Sequence, residues 1–470
     1  MPLISLLGIA PKIAGLKAFW QATDSLRAAL RSTAAPVVPL YLSWLLMALI
    51  GIVDLALASR IDTHAQAALG IADQILFLTM LAMSGLAGGL NSCMSQALGA
   101  GNLPLVRAYK HAGLMITIAI GLLATLAGLC LATPLARLFC ADQTVVNHAS
   151  RYIAICSLAN LPWAMIQCQG AIFRSLGCPQ VVAYQWLLIT VVAIVPGSIA
   201  FFYLPSCHSL LPIAIAWVIA SIAGCSFGQS LVSEALPNLT GSKIQRDQLI
   251  ERIRDILKVA VPILISEMSW LVSNLLLFCL LAKLPDGATA QAAWTIKLKV
   301  EETVAYAPLL AMGMATSTMV GHKVGALRPA AAMTLTKTLT IVSTLAMLIA
   351  GCLTALLAPY ITPSLTSDAA ASQLAQTLLV SAALTYPLMA ISNLLASAFE
   401  GTGKTLRPML INFPGFFGLR LPLAWLLMAP VGAGLMGVLA AKTISCAFTA
   451  FAMVSIFERS PWASITPKAD

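Results

Sequence analysis

The chain has 470 residues, of which 59% are hydrophobic and only 9% charged, and its mean hydropathy is +0.91. Soluble domains carry about a quarter charged residues, so this composition excludes an ordinary soluble domain and describes a polytopic membrane protein. The formal charge of +10 would point to nucleic acid if it sat in one patch, but the basic residues fall mostly in alternate loops, which is a topology signal. The eleven cysteines form no CxxC pair and the histidines no HExxH, so neither structural zinc nor a disulfide framework is expected, and most cysteines read as small core residues.

In chain order, residues 1–33 show no basic n-region before an apolar h-region, so no cleaved signal peptide is expected. With Lys12, Lys17, Arg27 and Arg31 this segment reads as lying along the cytoplasmic surface. The stretch 34–59 then carries one charge, Asp54, and is long enough to cross a hydrocarbon core of about 30 Å. An acid in so apolar a helix costs up to about 3 kcal/mol, so it faces either a wet interface or a cation- or proton-binding cavity. Further apolar windows lie near 65–90, 110–133, 149–173, 180–204 and 210–235, and after a polar break at 259–284, 289–318, 335–358, 372–398, 408–429 and 432–456. The break contains GSKIQRDQLIERIRDILK at 241–258, which reads as a short amphipathic helix on the membrane surface before the seventh crossing.

The expected fold is therefore all-α: twelve transmembrane helices in two six-helix lobes. The expected limits are a cytoplasmic segment 1–33, a first lobe 34–235, a cytoplasmic linker 236–258, a second lobe 259–457 and a cytoplasmic tail 458–470. The bias of Lys and Arg places both termini in the cytoplasm. The halves repeat: QALGAG at 96–101 matches HKVGAL at 322–327, and IFRSLG at 172–177 matches AFEGTG at 398–403, both at a spacing of 226 residues. Six crossings per half preserve orientation, so the lobes are expected to be related by a pseudo-two-fold axis along the membrane normal, the plan of alternating-access transporters.

At these motifs the sequence resembles the multidrug and toxic compound extrusion (MATE) transporters. The resemblance runs through both halves: IVDLALAS, QALGAGN and FRSLGCP in the first, then KVEETVAYAP, MVGHKVGA, FEGTGKT and GLRLPLAW in the second. It implies a V-shaped twelve-helix fold and export of organic, often cationic, compounds driven by inward H⁺ or Na⁺. Asp54 falls on the family's acidic position in the first helix. Glu301 falls on the glutamate of its helix-eight motif, with Lys299 in place of the usual Arg. Glu267 lies in helix seven, three residues nearer the preceding proline than in branches that carry a glutamate there. Two departures stand out: LLITVVAIVPGS at 187–198 lacks the Asn and Asp of many members, and TYPLMAISNLLASAF at 385–399 lacks the acid of the sodium-coupled branch.

The charged residues also read from spacing alone. Asp73 lies about 12 Å into the second helix, where it either faces Asp54 and shares a proton with it or lines an outer vestibule. Glu267, with Ser266, Ser269, Trp270 and Asn274, makes a polar stripe that faces protein or a cavity rather than lipid. It serves either to recognise a cation or to bond a neighbouring helix. Glu301 and Glu302 follow Lys297 and Lys299. Lys297 and Glu301 are an i, i+4 pair able to neutralise each other, while Trp294 and Tyr306 are placed to stack on a flat cation. Arg420 and Lys442 read as interior counter-charges or snorkelling groups.

EGTGKT at 400–405 ends like a phosphate-binding loop, but position 398 is Ala where that motif needs Gly. The sequon NLT at 238–240 falls on the expected cytoplasmic side.

The sequence thus predicts a secondary antiporter of the inner membrane. It would act on a small organic substrate within membrane lipid, with H⁺ preferred over Na⁺, no cofactor, no metal and no nucleic acid, as a monomer. A lipid-linked saccharide flippase of the same superfamily is the alternative, expected to differ by a strongly cationic central cavity. A membrane-embedded enzyme is the remote one, since no nucleophile–base or metal spacing is found.

Overall fold

The computed structural model describes residues 26–139, 142–203, 209–235, 246–284, 286–366, 368–428 and 431–460. It is helical throughout these segments. Helices α1 (Leu26–Ala58), α2 (Thr63–Gly99), α3 (Leu103–Phe139), α4 (Gln143–Ser157), α5 (Asn160–Ser175), α6 (Gln180–Tyr203) and α7 (Leu211–Ala235) form the first half. The second half holds α8 (Arg246–Leu281), α9 (Gly287–Glu301), α10 (Ala307–Gly325), α11 (Pro329–Leu365), α12 (Ala369–Ala382), α13 (Thr385–Gly401), α14 (Leu406–Phe413), α15 (Leu421–Met428) and α16 (Gly434–Arg459). Two π-helical stretches, Glu302–Tyr306 and Pro414–Arg420, join α9 to α10 and α14 to α15.

Ten of the described helical spans are long and apolar enough to cross a membrane, and the bent pair α12–α13, broken by 53°, makes an eleventh. The remaining expected crossing, 149–173, falls on the two helices α4 and α5, which are separated at Leu158 and Ala159. The spans differ in how much of themselves they bury. The span Leu103–Leu138 has 11% of its apolar window buried, whereas Thr289–Gly325 has 61%. The first offers side chains such as Leu122, Leu123 and Leu126 outward, as a helix bathed in lipid does. The second carries Lys297 and Glu301 in its interior and is wrapped by its neighbours, because hydrocarbon offers such groups no hydrogen bonds.

Backbone punctuation keeps the register of the repeat. Left-handed residues end corresponding helices at Gly101 and Leu327 and at Gly177 and Gly403, with φ between 59° and 75°; the members of each pair are 226 residues apart. The same spacing relates Asp142 and Asp368, the N-caps of α4 and α12, and Leu158 and Leu384 at the two helix breaks. Asp142 accepts from the backbone N–H groups of Thr144 and Val145, which hold its carboxyl below the usual carboxylate range.

Two compact units result, one built on Val38–Leu98 and Asn102–Ala260, the other on Gly99–Gly101 and Val261 onward. In the first, Trp163 packs against Trp186 and Trp217. Gln185 donates to the Gln169 side chain and the Gly224 carbonyl, while Gln169 donates to the Cys225 carbonyl. These bonds clamp α5, α6 and α7 together.

The separate surface helix expected at 241–258 is not what forms. Residues 236–245 lie outside the described residues, and 246–258 run straight into the seventh crossing as α8. After an exposed first turn one face becomes buried from Arg252 onward: Arg252 and Asp255 pair at 3.1 Å, the Tyr109 hydroxyl donates to Asp255, and Ile256 is 1% exposed. That polar triad draws the amphipathic segment into the first unit rather than onto a lipid surface. The cysteines also divide otherwise than expected: Cys93, Cys156, Cys168 and Cys446 are buried, whereas Cys130, Cys279 and Cys352 are exposed. Residues 1–25 and 461–470 of the expected terminal segments lie outside the described residues.

Candidate functional site

In the first lobe, Asp54 is half-buried near the end of α1 and Asp73 is exposed on α2. The two carboxylates act electrostatically on each other, and both act on Tyr152 and Cys156 of α4. Leu57, Ala58, Leu69, Ala72, Tyr152 and Ile153 form one buried apolar cluster beside them. The structure therefore brings together the two acids that the sequence singled out.

The second lobe centres on Glu301, which is wholly buried. Its Oε2 accepts from Lys297 Nζ at 2.6 Å and from Lys442 Nζ at 2.7 Å. Lys297 comes from the preceding turn of α9, as its i, i+4 spacing predicts, and Lys442 from α16. Glu301 Oε1 has no hydrogen-bond partner among the described residues. Both ammonium groups lie over the Trp294 ring, at 4.6 and 5.9 Å from its centroid. The expected cation for that aromatic face is thus supplied by the protein's own lysines. Lys442 also lies 6.0 Å from the Tyr306 ring centroid, and Tyr306 pairs edge-on with Trp270, whose Nε1 donates to the Tyr306 hydroxyl at 3.1 Å.

Glu302 departs from the expectation. It points away from this cluster and pairs with Lys299 on an exposed face, because successive residues of a helix project about 100° apart. The π-helical stretch begins at this residue, and such insertions are frequent at functional sites. The second one, Pro414–Arg420, delivers Arg420 inward, where it is 2% exposed. Backbone carbonyls loosened there are satisfied from outside: Ser445 donates to the Gly415 carbonyl and Ser273 to that of Phe416.

Glu267 on α8 has a buried carboxylate oxygen without a hydrogen-bond partner, as do the Ser266 hydroxyl and the Asn274 carbonyl oxygen. Its charged neighbour is Glu400 at the end of α13, which is not among the acids singled out from the sequence. A signal for it existed: Glu400 stands 226 residues after Arg174, so the two halves place opposite charges at one repeat position. Asn393, one face of α13 nearer the membrane centre, also carries a buried oxygen without a partner.

Repeated bundles of apolar crossings with charges held inside them define a two-lobed polytopic membrane protein. A family model described as MatE matches residues 39–199 and 262–426, and the chain belongs to that family of membrane transporters. A Thermotoga maritima protein named probable multidrug resistance protein NorM is 21% identical over 403 residues, covering 83% of this chain and 84% of the relative. A Caulobacter vibrioides protein of the same name is 30% identical over 176 residues, 37% of each chain. Among solved structures, an outward-facing multidrug resistance MATE family transporter of the MOP superfamily superposes with a TM-score of 0.86 at 16% identity, over 98% of this chain and 99% of that one. A Pyrococcus furiosus MOP superfamily transporter, described as having a binding pocket of reverse polarity, gives 0.83 at 17% identity over 97% and 98%. At these identities the likeness is one of fold: the twelve-helix, two-lobe fold expected from the sequence.

Proposed function

We propose that this protein is a secondary antiporter of the plasma (inner) membrane, with both termini cytoplasmic. It exports an organic, cationic or amphipathic compound in exchange for H⁺, as a monomer and without a cofactor. The relatives named for multidrug resistance support the substrate class. The observation that carries the coupling is Asp54, half-buried in an otherwise uncharged span and in electrostatic contact with Asp73. No lysine or arginine pairs with Asp54 among the described residues. A proton arriving from outside neutralises this acid pair and favours release; substrate from inside displaces it as access alternates. Na⁺ is the weaker candidate, because a bare metal ion wants about six oxygen ligands, α6 supplies no acid, and the one acid of α13, Glu400, stands at its last turn.

The test is efflux from inverted vesicles with an imposed proton or sodium gradient, wild type against Asp54→Asn. Proton-driven efflux that Asp54→Asn reduces to background is the expected result. Sodium-driven efflux, or normal transport by Asp54→Asn, overturns the coupling assignment.

One observation favours the flippase reading. A flippase is expected to have a strongly cationic cavity, and the second lobe buries Lys297, Lys442 and Arg420, of which the two lysines share the carboxylate of Glu301. Complementation of a flippase-deficient strain separates the two, and the antiporter is expected to fail in it.

A further inference from the structure

The charges gathered around Glu301 do not balance. Lys297, Lys442 and Arg420 are each 2% exposed or less, and the one carboxylate bonded to this group, Glu301, is shared by the two lysines. Arg420 has no carboxylate partner among the described residues. Its Nε donates to the Ser445 hydroxyl at 3.3 Å, its Nη2 lies 3.9 Å from Cys446 Sγ, and one face of the guanidinium covers the Phe416 ring at 4.5 Å. Its Nη1 has no partner. A guanidinium does not lose its proton in a protein, so this charge persists inside the span Leu406–Met428. Intramembrane charges of this kind pair with one another or mark a ligand path.

The surroundings of Arg420 indicate what completes it. Ser445 and Cys446, which it touches, lie one helical turn beyond Lys442 on the same face of α16. The Tyr306 hydroxyl acts electrostatically on both Lys442 and Arg420. That hydroxyl accepts from Trp270, which leaves its own proton to donate. Lys442 Nζ lies 6.0 Å from the Tyr306 ring centroid, so a guanidinium edge, an ammonium and a hydroxyl proton, all donors, neighbour one another with a net positive charge behind them.

We propose that Arg420, Lys442 and Tyr306 form an oxyanion-binding site in the second lobe that takes the carboxylate of an organic compound. Arg420 supplies the directional hydrogen bonds, which a planar guanidinium makes best to a planar carboxylate, and Lys442 adds charge. Glu301 sets the affinity by competing for Lys442. Substrates of the transporter then include zwitterionic or acidic molecules beside the cationic ones. The site does not depend on which ion drives transport or on the role of Asp54.

The experiment is calorimetric titration of the purified full-length protein in detergent, with sodium benzoate and, separately, sodium pyrophosphate, at constant ionic strength. Saturable benzoate binding is expected, weakened about tenfold or more in Arg420→Gln, since hydrogen bonds to charged groups are being removed. Because that variant can also lose its fold, two others accompany it. Lys442→Gln should weaken binding, and Glu301→Gln should strengthen it by freeing Lys442, an increase that damage to the fold does not produce. Absence of benzoate binding to the wild type, binding of pyrophosphate alone, or equal benzoate affinity in Glu301→Gln and wild type each overturns the proposal.

Discussion

The two lobes place their interior charges in opposite ways. In the first, Asp54 and Asp73 are a like-charged pair, one half-buried and one exposed, at the border of an apolar cluster. In the second, Glu301 is sealed from solvent and held by two lysines through one oxygen atom. An acid that water can reach exchanges protons as its surroundings change; one locked between two ammonium groups keeps its charge. The same repeated scaffold therefore supports a like-charged acid pair open to water in one half and a buried, net positive cluster in the other, the arrangement on which the proposal of coupling in the first lobe and recognition in the second rests. The contrast continues at the helix ends, where Arg174 of the first lobe is replaced by Glu400 in the second at the same repeat position.

The sharpest way to break this comparison is to neutralise one acid from each lobe. Glu301→Gln leaves two buried lysines without a carboxylate and is expected to cost about 3–5 kcal/mol, read as a lowered thermal unfolding midpoint in detergent. Asp54→Asn removes a repulsion rather than a pair, so it should unfold at or slightly above the wild-type temperature while losing transport. Equal destabilisation by both would make the first-lobe acid structural.

A second approach moves residues between the lobes. Gly401→Ser imports Ser175 from its repeat position. There the first lobe accommodates a buried hydroxyl bonded to the Ile172 carbonyl, whereas a Cβ at Gly401 would run into the Ser317 carbonyl of α10. Overpacking of this kind costs about 1–3 kcal/mol, and an unchanged melting temperature would show that α10 and α13 can separate freely. The smallest effect is expected for Leu327→Gly, which imports Gly101. The left-handed backbone costs a non-glycine residue about 1–2 kcal/mol, while glycine's extra chain entropy offsets about 0.5–1. A net gain of roughly 0.5 kcal/mol follows, and a loss would mean that the exposed Leu327 side chain makes a contact worth more than its strain.

Much of the architecture could be read from the sequence because hydropathy and turn residues act locally. The uncharged run around Asp54, the glycine turns and the Lys297–Glu301 spacing each lie within one helix or one loop. Pairings between distant helices carry no such signal. Lys442 reaches Glu301 across 141 positions of chain, and Glu400 meets Glu267 only after α8 and α13 have packed. The outward direction of Glu302 was available from helical geometry, since two adjacent acids cannot share one face. The π-helical stretch Pro414–Arg420 was not, because its carbonyls are satisfied by Ser273 and Ser445 from other parts of the chain.

The four left-handed turns carry a consequence for how such a molecule can change. They set where each helix stops through backbone conformation alone, and at Leu327 even the glycine is dispensable. Side chains along the spans are then free to reverse sign, as Arg174 and Glu400 do, without moving a helix end. A duplicated scaffold punctuated in this way is modular: the chemistry of one half can be rewritten while the other half keeps its instructions.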